Sequence, residues 1–323
     1  MSFSLWCDFI QRDFLENEFK ALIDARLING ATSNPSIFAQ SLKTPAYTDS
    51  IKALKGKDKK SIYENLAIAD IRRAAEILMP IWEQNIANGF VSIEIDPFLC
   101  DNAEQSIDEG IRLQQSIAMP NVMIKVPATK VGYEVMSEIM RRGISVNATL
   151  VFTPAQAKEC AQAMKEGSKT FADSHSIKPQ GVISVFVSRF DRAADAMLSE
   201  NLRAQMGIIN AMDCYEIIEN SNQSHIRTLF ASTGVKGDDL VKSYYIDKLI
   251  LPHSVNTAPL DAIMAYKTST DKVQKSLLES STRARFWQEI ARTGIDRAEL
   301  SQRLLNEGIV AFQKSFEDML RAF

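Results

Sequence analysis

Short runs of apolar and β-branched residues recur along the chain, separated by longer stretches in which apolar positions return every three or four residues. The first pattern suits a buried strand and the second an amphipathic helix. Eight such runs predict strands over residues 3–9, 30–33, 90–95, 122–127, 145–152, 181–187, 228–232 and 249–251. The intervening spacing predicts helices over 16–27, 62–88, 103–118, 131–141, 154–174, 191–218 and 236–247, and then over 260–267, 272–294 and 297–323. Strand alternating with helix is the pattern of βα units around a parallel sheet. No stretch rich in proline, glycine and serine divides the chain, so the expectation is one α/β domain over residues 1–323, a single (β/α)8 TIM barrel. The gap between the second and third strands has to hold extra helix, and the C-terminal helices exceed what a barrel needs. Surplus helix of that kind covers a mouth of the barrel or forms a subunit contact.

Strands of a parallel barrel are buried on both faces and should read as continuous apolar runs, with chemistry gathered at their C-terminal ends. Here nearly every run carries a polar residue near its end: Asp8, Asn34, Glu94, Lys125, Asn147 with Thr149, Ser184 and Ser232. Lys125 is the sharpest, because the run Val122-Met123-Ile124-Lys125-Val126-Pro127 would strip an ammonium of its solvent. It is either an edge-strand lysine snorkelling outward or a nucleophilic amine. At the ordinary pKa of about 10.4, roughly one lysine in 2,500 is neutral at pH 7, so an amine nucleophile gains from desolvation. Asp8 and Glu94 occupy equivalent places on other strands. Each alone is either a structural hydrogen-bonding group or an acid–base group; with a buried lysine they meet the needs of Schiff-base chemistry, which requires an attacking amine and groups that move protons.

Asn34, Asn147 and Ser184 are neutral groups suited to orienting a polyhydroxylated substrate, although Asn34 before Pro35 is also an ordinary turn. Arg189 follows the sixth strand, and Lys236 follows Ser232-Thr233-Gly234 after the seventh, where barrels often hold phosphate. Surface salt bridging is the alternative for both. His175, His225 and His253 fall in apparent loops without partners at catalytic spacing, His253 just after the expected eighth strand. Residues 52–60 carry five lysines against Asp58 and read as a solvated loop.

Composition narrows the possibilities. With 37 basic and 40 acidic residues the net charge is -3, which argues against a nucleic-acid partner. Cys7, Cys100, Cys160 and Cys214 are scattered without ligand spacing, so no disulfide framework or metal site is indicated, and GxGxxG, GxxxxGK[ST] and HExxH patterns are absent. No cofactor is expected. The start MSFSLWCDFI carries no signal-peptide pattern, and nowhere do about 18 apolar residues run together; a cytoplasmic protein with no membrane partner is expected.

Gly30-Ala31-Thr32-Ser33-Asn34-Pro35-Ser36-Ile37-Phe38 resembles the first signature of the transaldolase family, and Val122-Met123-Ile124-Lys125-Val126-Pro127-Ala128-Thr129 followed by Gly132 resembles its Schiff-base lysine signature. Similarity extends to SLWCDF, VSIEIDP, SVNATLVFT, ISVFVSRFD, FASTGVK and VNTAP, covering most of the chain. The resemblance implies a TIM barrel that reversibly transfers a dihydroxyacetone unit from sedoheptulose 7-phosphate to glyceraldehyde 3-phosphate in the pentose phosphate pathway, giving erythrose 4-phosphate and fructose 6-phosphate. It implies that Lys125 forms the imine, that Glu94 shuttles protons through a water which Thr149 positions, and that Asp8 takes the C4 hydroxyl proton. Asn34, Asn147 and Ser184 would hold the dihydroxyacetone moiety, and Arg189 with Ser232 the phosphate. Family members with an ASFRN-type stretch place an arginine near the phosphate; this chain has Ala231-Ser232-Thr233-Gly234-Val235-Lys236, making Lys236 the expected substitute. Residue 131 is valine where a polar or small residue is usual. Partners would be sugar phosphates and, as in many family members, a second copy in a homodimer. A fructose-6-phosphate-type class I aldolase using the same lysine, and a non-catalytic phosphosugar-binding barrel, remain as alternatives. Such aldolases are much shorter barrels without the extra helices, which favours the transferase.

Overall fold

The computed structural model describes residues 3–173, 178–321 and 323; His175 and the last residue of the helix expected over 154–174 lie outside them. Eight parallel strands close into a barrel in chain order. They are β1 (Ser4–Cys7), β2 (Ala31–Thr32), β3 (Val91–Glu94), β4 (Val122–Pro127), β5 (Ser145–Val151), β6 (Gly181–Phe186), β7 (Ile226–Ala231) and β8 (Ser254–Ala258), with β8 pairing back onto β1.

Seven strands fall where the apolar runs predict; the eighth does not. The run 249–251 is buried, but it leads out of the helix Tyr244–Lys248 and joins no ladder. The ladder with β7 and β1 is made instead by Ser-Val-Asn-Thr-Ala. That strand looks polar because most of its polar side-chain groups are hydrogen-bonded inside the protein, Asn256 Nδ2 being the exception among the described residues. Ser254 donates to the Leu251 carbonyl at 2.7 Å, and Asn256 accepts from Thr233 at 2.8 Å. His253 therefore precedes β8 and sits at the end opposite the mouth, its Nδ1 2.9 Å from Glu219.

Side chains alternate across each strand. One set, including Leu5, Ile93, Ile124, Val126, Ile183 and Phe230, packs against the surrounding helices. The other, Trp6, Met123, Val182, Leu229 and Val255, fills the barrel interior. The N-terminal end of the barrel is sealed by buried Arg227, which donates to Ser4 Oγ and the Ser254 carbonyl at 2.8 Å each and to the Ala87 carbonyl at 3.0 Å. Polar positions at the other end have no such plug.

Several helices are shorter or more broken than the periodicity predicts. The stretch 191–218 divides into Ser188–Ala194 and Met206–Glu219, because the Asp195 carboxylate accepts from Ala204 N–H and turns the chain between them. Within 236–247 only Tyr244–Lys248 is helical, the Gly-Asp-Asp cluster preceding it being turn-forming. Within 272–294 helix begins only at Ser280, and 16–27 becomes Arg12–Glu16 and Glu18–Asp24. The gap before β3 holds Pro35–Ser41, Thr48–Ala53 and the 26-residue helix Lys59–Gln84. The lysine-rich segment, expected as a loop, runs from the end of Thr48–Ala53 through a turn into the start of Lys59–Gln84; its lysines are exposed apart from Lys60, whose amine turns inward to Asp96 at 2.6 Å. No described helix is long and apolar enough to cross a membrane.

The C-terminal helix Arg297–Arg321 crosses the open mouth. Its start is held by Arg297, 2.9 Å from Asp213 and stacked 3.7 Å over Trp287. Its far end is held by Phe316, edge-on to Tyr63 at 5.5 Å.

Candidate active site

The period-two alternation that buries Trp6 and Met123 inside the barrel brings the next inward residue of each strand, Asp8 and Lys125, to its C-terminal mouth. Here a cavity of about 230 Å³ is lined by Asp8, Thr32, Asn34, Lys125, Thr149, Ser184, Arg189 and Ser232 among others. Eight of the ten residues expected from the sequence thus share one cavity or its side pocket once Glu94 is added, counting Asn147 and Lys236 as the two apart.

Lys125 and Glu94 are direct partners in the parallel pairing of β3 and β4. Lys125 Nζ lies 2.7 Å from Glu94 Oε1, an ion pair at an angle short of a hydrogen bond, and donates to the Ser33 carbonyl at 2.9 Å. Both side chains are nine-tenths buried, so the outward-snorkelling alternative is removed. Glu94 Oε2 and Thr149 Oγ1 are buried without a protein hydrogen bond among the described residues. Both groups, with Lys125 and Phe312, bound a side pocket of about 20 Å³, room for one water molecule.

Burial raises the Glu94 carboxyl above the usual carboxylate range, Lys125 opposing and Asp8 reinforcing the shift. Burial likewise raises Asp8, against the pull of Lys125 and the Thr32 hydroxyl, which donates to Asp8 Oδ1 at 2.6 Å. One lysine faces two buried carboxyls and cannot pair fully with both, an arrangement that is able to pass protons. Thr32 lies 2.6 Å from Thr257 Oγ1, which extends the chain from Asp8 across β1 to β8.

Asn34 caps the helix Pro35–Ser41 through its carbonyl oxygen, accepting from Ile37 N–H at 3.1 Å, while lining the cavity. Asn147, the partner of Lys125 in the pairing of β4 and β5, is fully buried; it accepts from Ser184 at 2.6 Å and donates to Ser92 at 3.0 Å, and so orients Ser184. Gly132 of the lysine signature is required by packing, since a Cβ there would lie 1.9 Å from the Pro127 carbonyl oxygen at the end of β4.

Arg189 lines the far side of the cavity, has no carboxylate within ion-pair distance among the described residues, and stacks 5.1 Å from the Phe186 ring centre. Burial and the nearby Arg192 push its pKa down, so an anion placed there is favoured. Ser232 sits beside it in the left-handed backbone region, φ 55°, its hydroxyl 3.1 Å from Ser188. Lys236 departs from expectation. It is exposed and faces a neighbouring surface pocket with Arg192 and Arg203, because the turn 232–236 carries it past the mouth rather than into it. His225 is buried at the barrel's closed end with Ser168 at 2.8 Å, and burial lowers its pKa to about 4.

Sequence reasoning missed Thr32, Thr257, Phe186, Phe312 and Ser315 in the cavity wall. Thr32 and Phe186 were signalled by period-two spacing from identified inward positions. Phe312 and Ser315 carried no local signal, because only the path of the C-terminal helix brings them there.

Fold and site together define an enzyme of the parallel α/β-barrel class with a lysine amine and paired carboxyls at its mouth. The family model described as Transaldolase/Fructose-6-phosphate aldolase matches residues 5–323. A transaldolase of Helicobacter pylori strain P12 is 49% identical, and one of Campylobacter jejuni serotype O:6 is 49% identical, each aligned over 99% of both chains. The chain belongs to the transaldolase/fructose-6-phosphate aldolase family.

Proposed function

We propose that this chain is a transaldolase, moving a dihydroxyacetone unit from sedoheptulose 7-phosphate to glyceraldehyde 3-phosphate and releasing erythrose 4-phosphate and fructose 6-phosphate. The observation that carries this reading is the buried Lys125–Glu94 pair with Asp8 at the same mouth. The Lys125 amine adds to the ketose C2 carbonyl, and loss of water leaves a protonated imine. Glu94, through a water in the side pocket beside Thr149, gives the departing hydroxyl its proton and later takes one from the water that reverses the step. Asp8 removes the C4 hydroxyl proton as the C3–C4 bond breaks. The electron pair stays on C3 as an enamine, which the imine nitrogen stabilises by delocalisation. An acceptor aldehyde then takes the C3 carbon, and the steps run backward.

Asn34 and Ser184, the latter aimed by Asn147, hold the dihydroxyacetone hydroxyls; Arg189 and Ser232 hold phosphate at the opposite wall. Four unpaired, buried cysteines support a cytoplasmic setting. The test is transfer from fructose 6-phosphate to erythrose 4-phosphate, measured as sedoheptulose 7-phosphate formed. Transfer is expected in the native chain and absent in Lys125→Ala. Release of dihydroxyacetone without transfer would mark an aldolase instead, and neither product a binding protein.

A further inference from the structure

We infer that Thr257 is a positioning residue for bond cleavage, acting through Thr32 to fix which oxygen of Asp8 takes the substrate's proton. The inference rests on the base role proposed above for Asp8. Both threonines are buried, and both line the cavity with Asp8. Thr32 Oγ1 lies 2.6 Å from Asp8 Oδ1 and 2.6 Å from Thr257 Oγ1.

A hydroxyl has one proton to donate. That of Thr32 goes to Asp8 Oδ1, so the contact between the two threonines is filled by the proton of Thr257. The direction is therefore Thr257 to Thr32 to Asp8. It occupies Oδ1, whereas Oδ2 makes no protein hydrogen bond among the described residues and is the oxygen left for the C4 hydroxyl. The backbone holds both ends of this relay. The Thr257 carbonyl accepts from Thr233 Oγ1 at 2.8 Å, and the carbonyl of Ala258 accepts from Asp8 N–H at 2.8 Å.

In the cleavage step the C4 hydroxyl proton moves to Oδ2, its O–H pair becomes the second bond of the C4 carbonyl, and the C3–C4 pair passes into the enamine. A hydroxyl donates more strongly to an ionised carboxylate than to a neutral carboxyl, and a chain of such bonds polarises along its length. The relay thus favours the ionised form of Asp8 against the burial that opposes it. The charged groups facing Asp8 are Lys125 on β4 and Glu94 on β3; Arg189 lines the same cavity, and the Cys7 thiol precedes Asp8 on β1. Neither β2 nor β8 carries a titratable side chain. A substitution at Thr257 therefore leaves every charge around Asp8 in place, and a displaced pH profile reports the relay.

The experiment measures transfer from fructose 6-phosphate to erythrose 4-phosphate against pH, with borohydride reduction to compare the intact six-carbon imine on Lys125 with the three-carbon adduct. Thr257→Val keeps the side chain's shape and removes its proton. It is expected to lower kcat about threefold to tenfold with KM little changed, the size of one neutral hydrogen bond, and to move the acid limb to higher pH. The six-carbon share of the adduct should rise, because imine formation precedes the step affected. Thr257→Ser keeps the proton and should stay near native. Thr32→Val removes the bond to Asp8 directly, and adding Thr257→Val to it should cost nothing further. Thr257→Ala carries the same expectations as valine and stands in for it if the valine variant does not fold. A native kcat and acid limb without the Thr257 hydroxyl would overturn the inference, as would losses that multiply in the double variant or a serine variant as impaired as valine. Full activity in Asp8→Asn would instead overturn the base role of Asp8, and no adduct in the native chain the lysine chemistry itself.

Discussion

On the chemistry proposed above, Lys125, Glu94 and Asp8 act as one proton-passing unit, so their substitutions should differ in kind as well as size. Glu94→Gln keeps the side chain's shape but removes its ionisation; kcat is expected to fall about 10²–10⁴-fold with KM for fructose 6-phosphate little changed, measured by steady-state transfer assays. A large KM change with kcat preserved would place Glu94 in binding instead. Because burial raises both carboxyls, the acid limb of the kcat profile should lie above the ordinary carboxylate range of about pH 4 and should belong to the pair rather than to either group. With the base role proposed for Asp8, which accepts a proton only when ionised, activity is expected to be lost as pH falls through that limb. A profile flat down to pH 4 would contradict the arrangement.

These three residues were legible in the sequence because a charge inside an apolar run conflicts with burial and so asks for a reason. Thr32 and Thr257 did not stand out in this way, because a threonine near a strand end creates no such conflict. Lys236 misled for the opposite reason: its charge was visible, but the turn that carries it away from the mouth was not.

At the scale of elements, apolar runs located seven strands, and β8 escaped because its side-chain hydrogen bonds replace apolar burial. Helix ends were less legible where side chains far apart in sequence decide them. Asp191 is such a case. It accepts from Gly207 N–H at 2.9 Å and from the Tyr245 hydroxyl at 2.8 Å, tying the helix Ser188–Ala194, which carries Arg189, to Met206–Glu219 and Tyr244–Lys248. Burial raises its pKa from 3.8 to about 7. Between those values the folded chain binds a proton that the unfolded chain does not, so this contribution to stability is lost as pH rises through about 7. Asp191→Asn should flatten the decline in melting temperature between pH 5 and pH 8; parallel curves for variant and native chain would refute the assignment.

Across the whole molecule, one end of the barrel is sealed and the other reactive. Arg227 bonds groups on β1, β8 and the loop before β3, and so closes the N-terminal end far from Lys125. Arg227→Ala leaves those acceptors unpaired and should destabilise folding by about 3 kcal/mol or more, read by denaturant titration. Activity well below the melting temperature should be close to native, because the Arg227 hydrogen bonds named here lie at the end opposite the mouth. A matching loss of kcat without destabilisation would contradict this division. The opposite end depends on the helix Arg297–Arg321, and a chain ending at Asn306 removes Phe312 with it. That truncation should lose transferase activity; full activity would show that the helix does not serve the reaction. The crossing of this helix was not legible locally, because its partners Trp287, Asp213 and Tyr63 are scattered over the chain.

The central claim is that Lys125 bonds covalently to the ketose. Mass spectrometry after borohydride reduction with fructose 6-phosphate tests it most directly, comparing the native chain with Lys125→Ala. A reduced dihydroxyacetone adduct on the Lys125 peptide, absent from the variant, is the expected result. An active, folded native chain that carries no adduct, or carries it elsewhere, would contradict it.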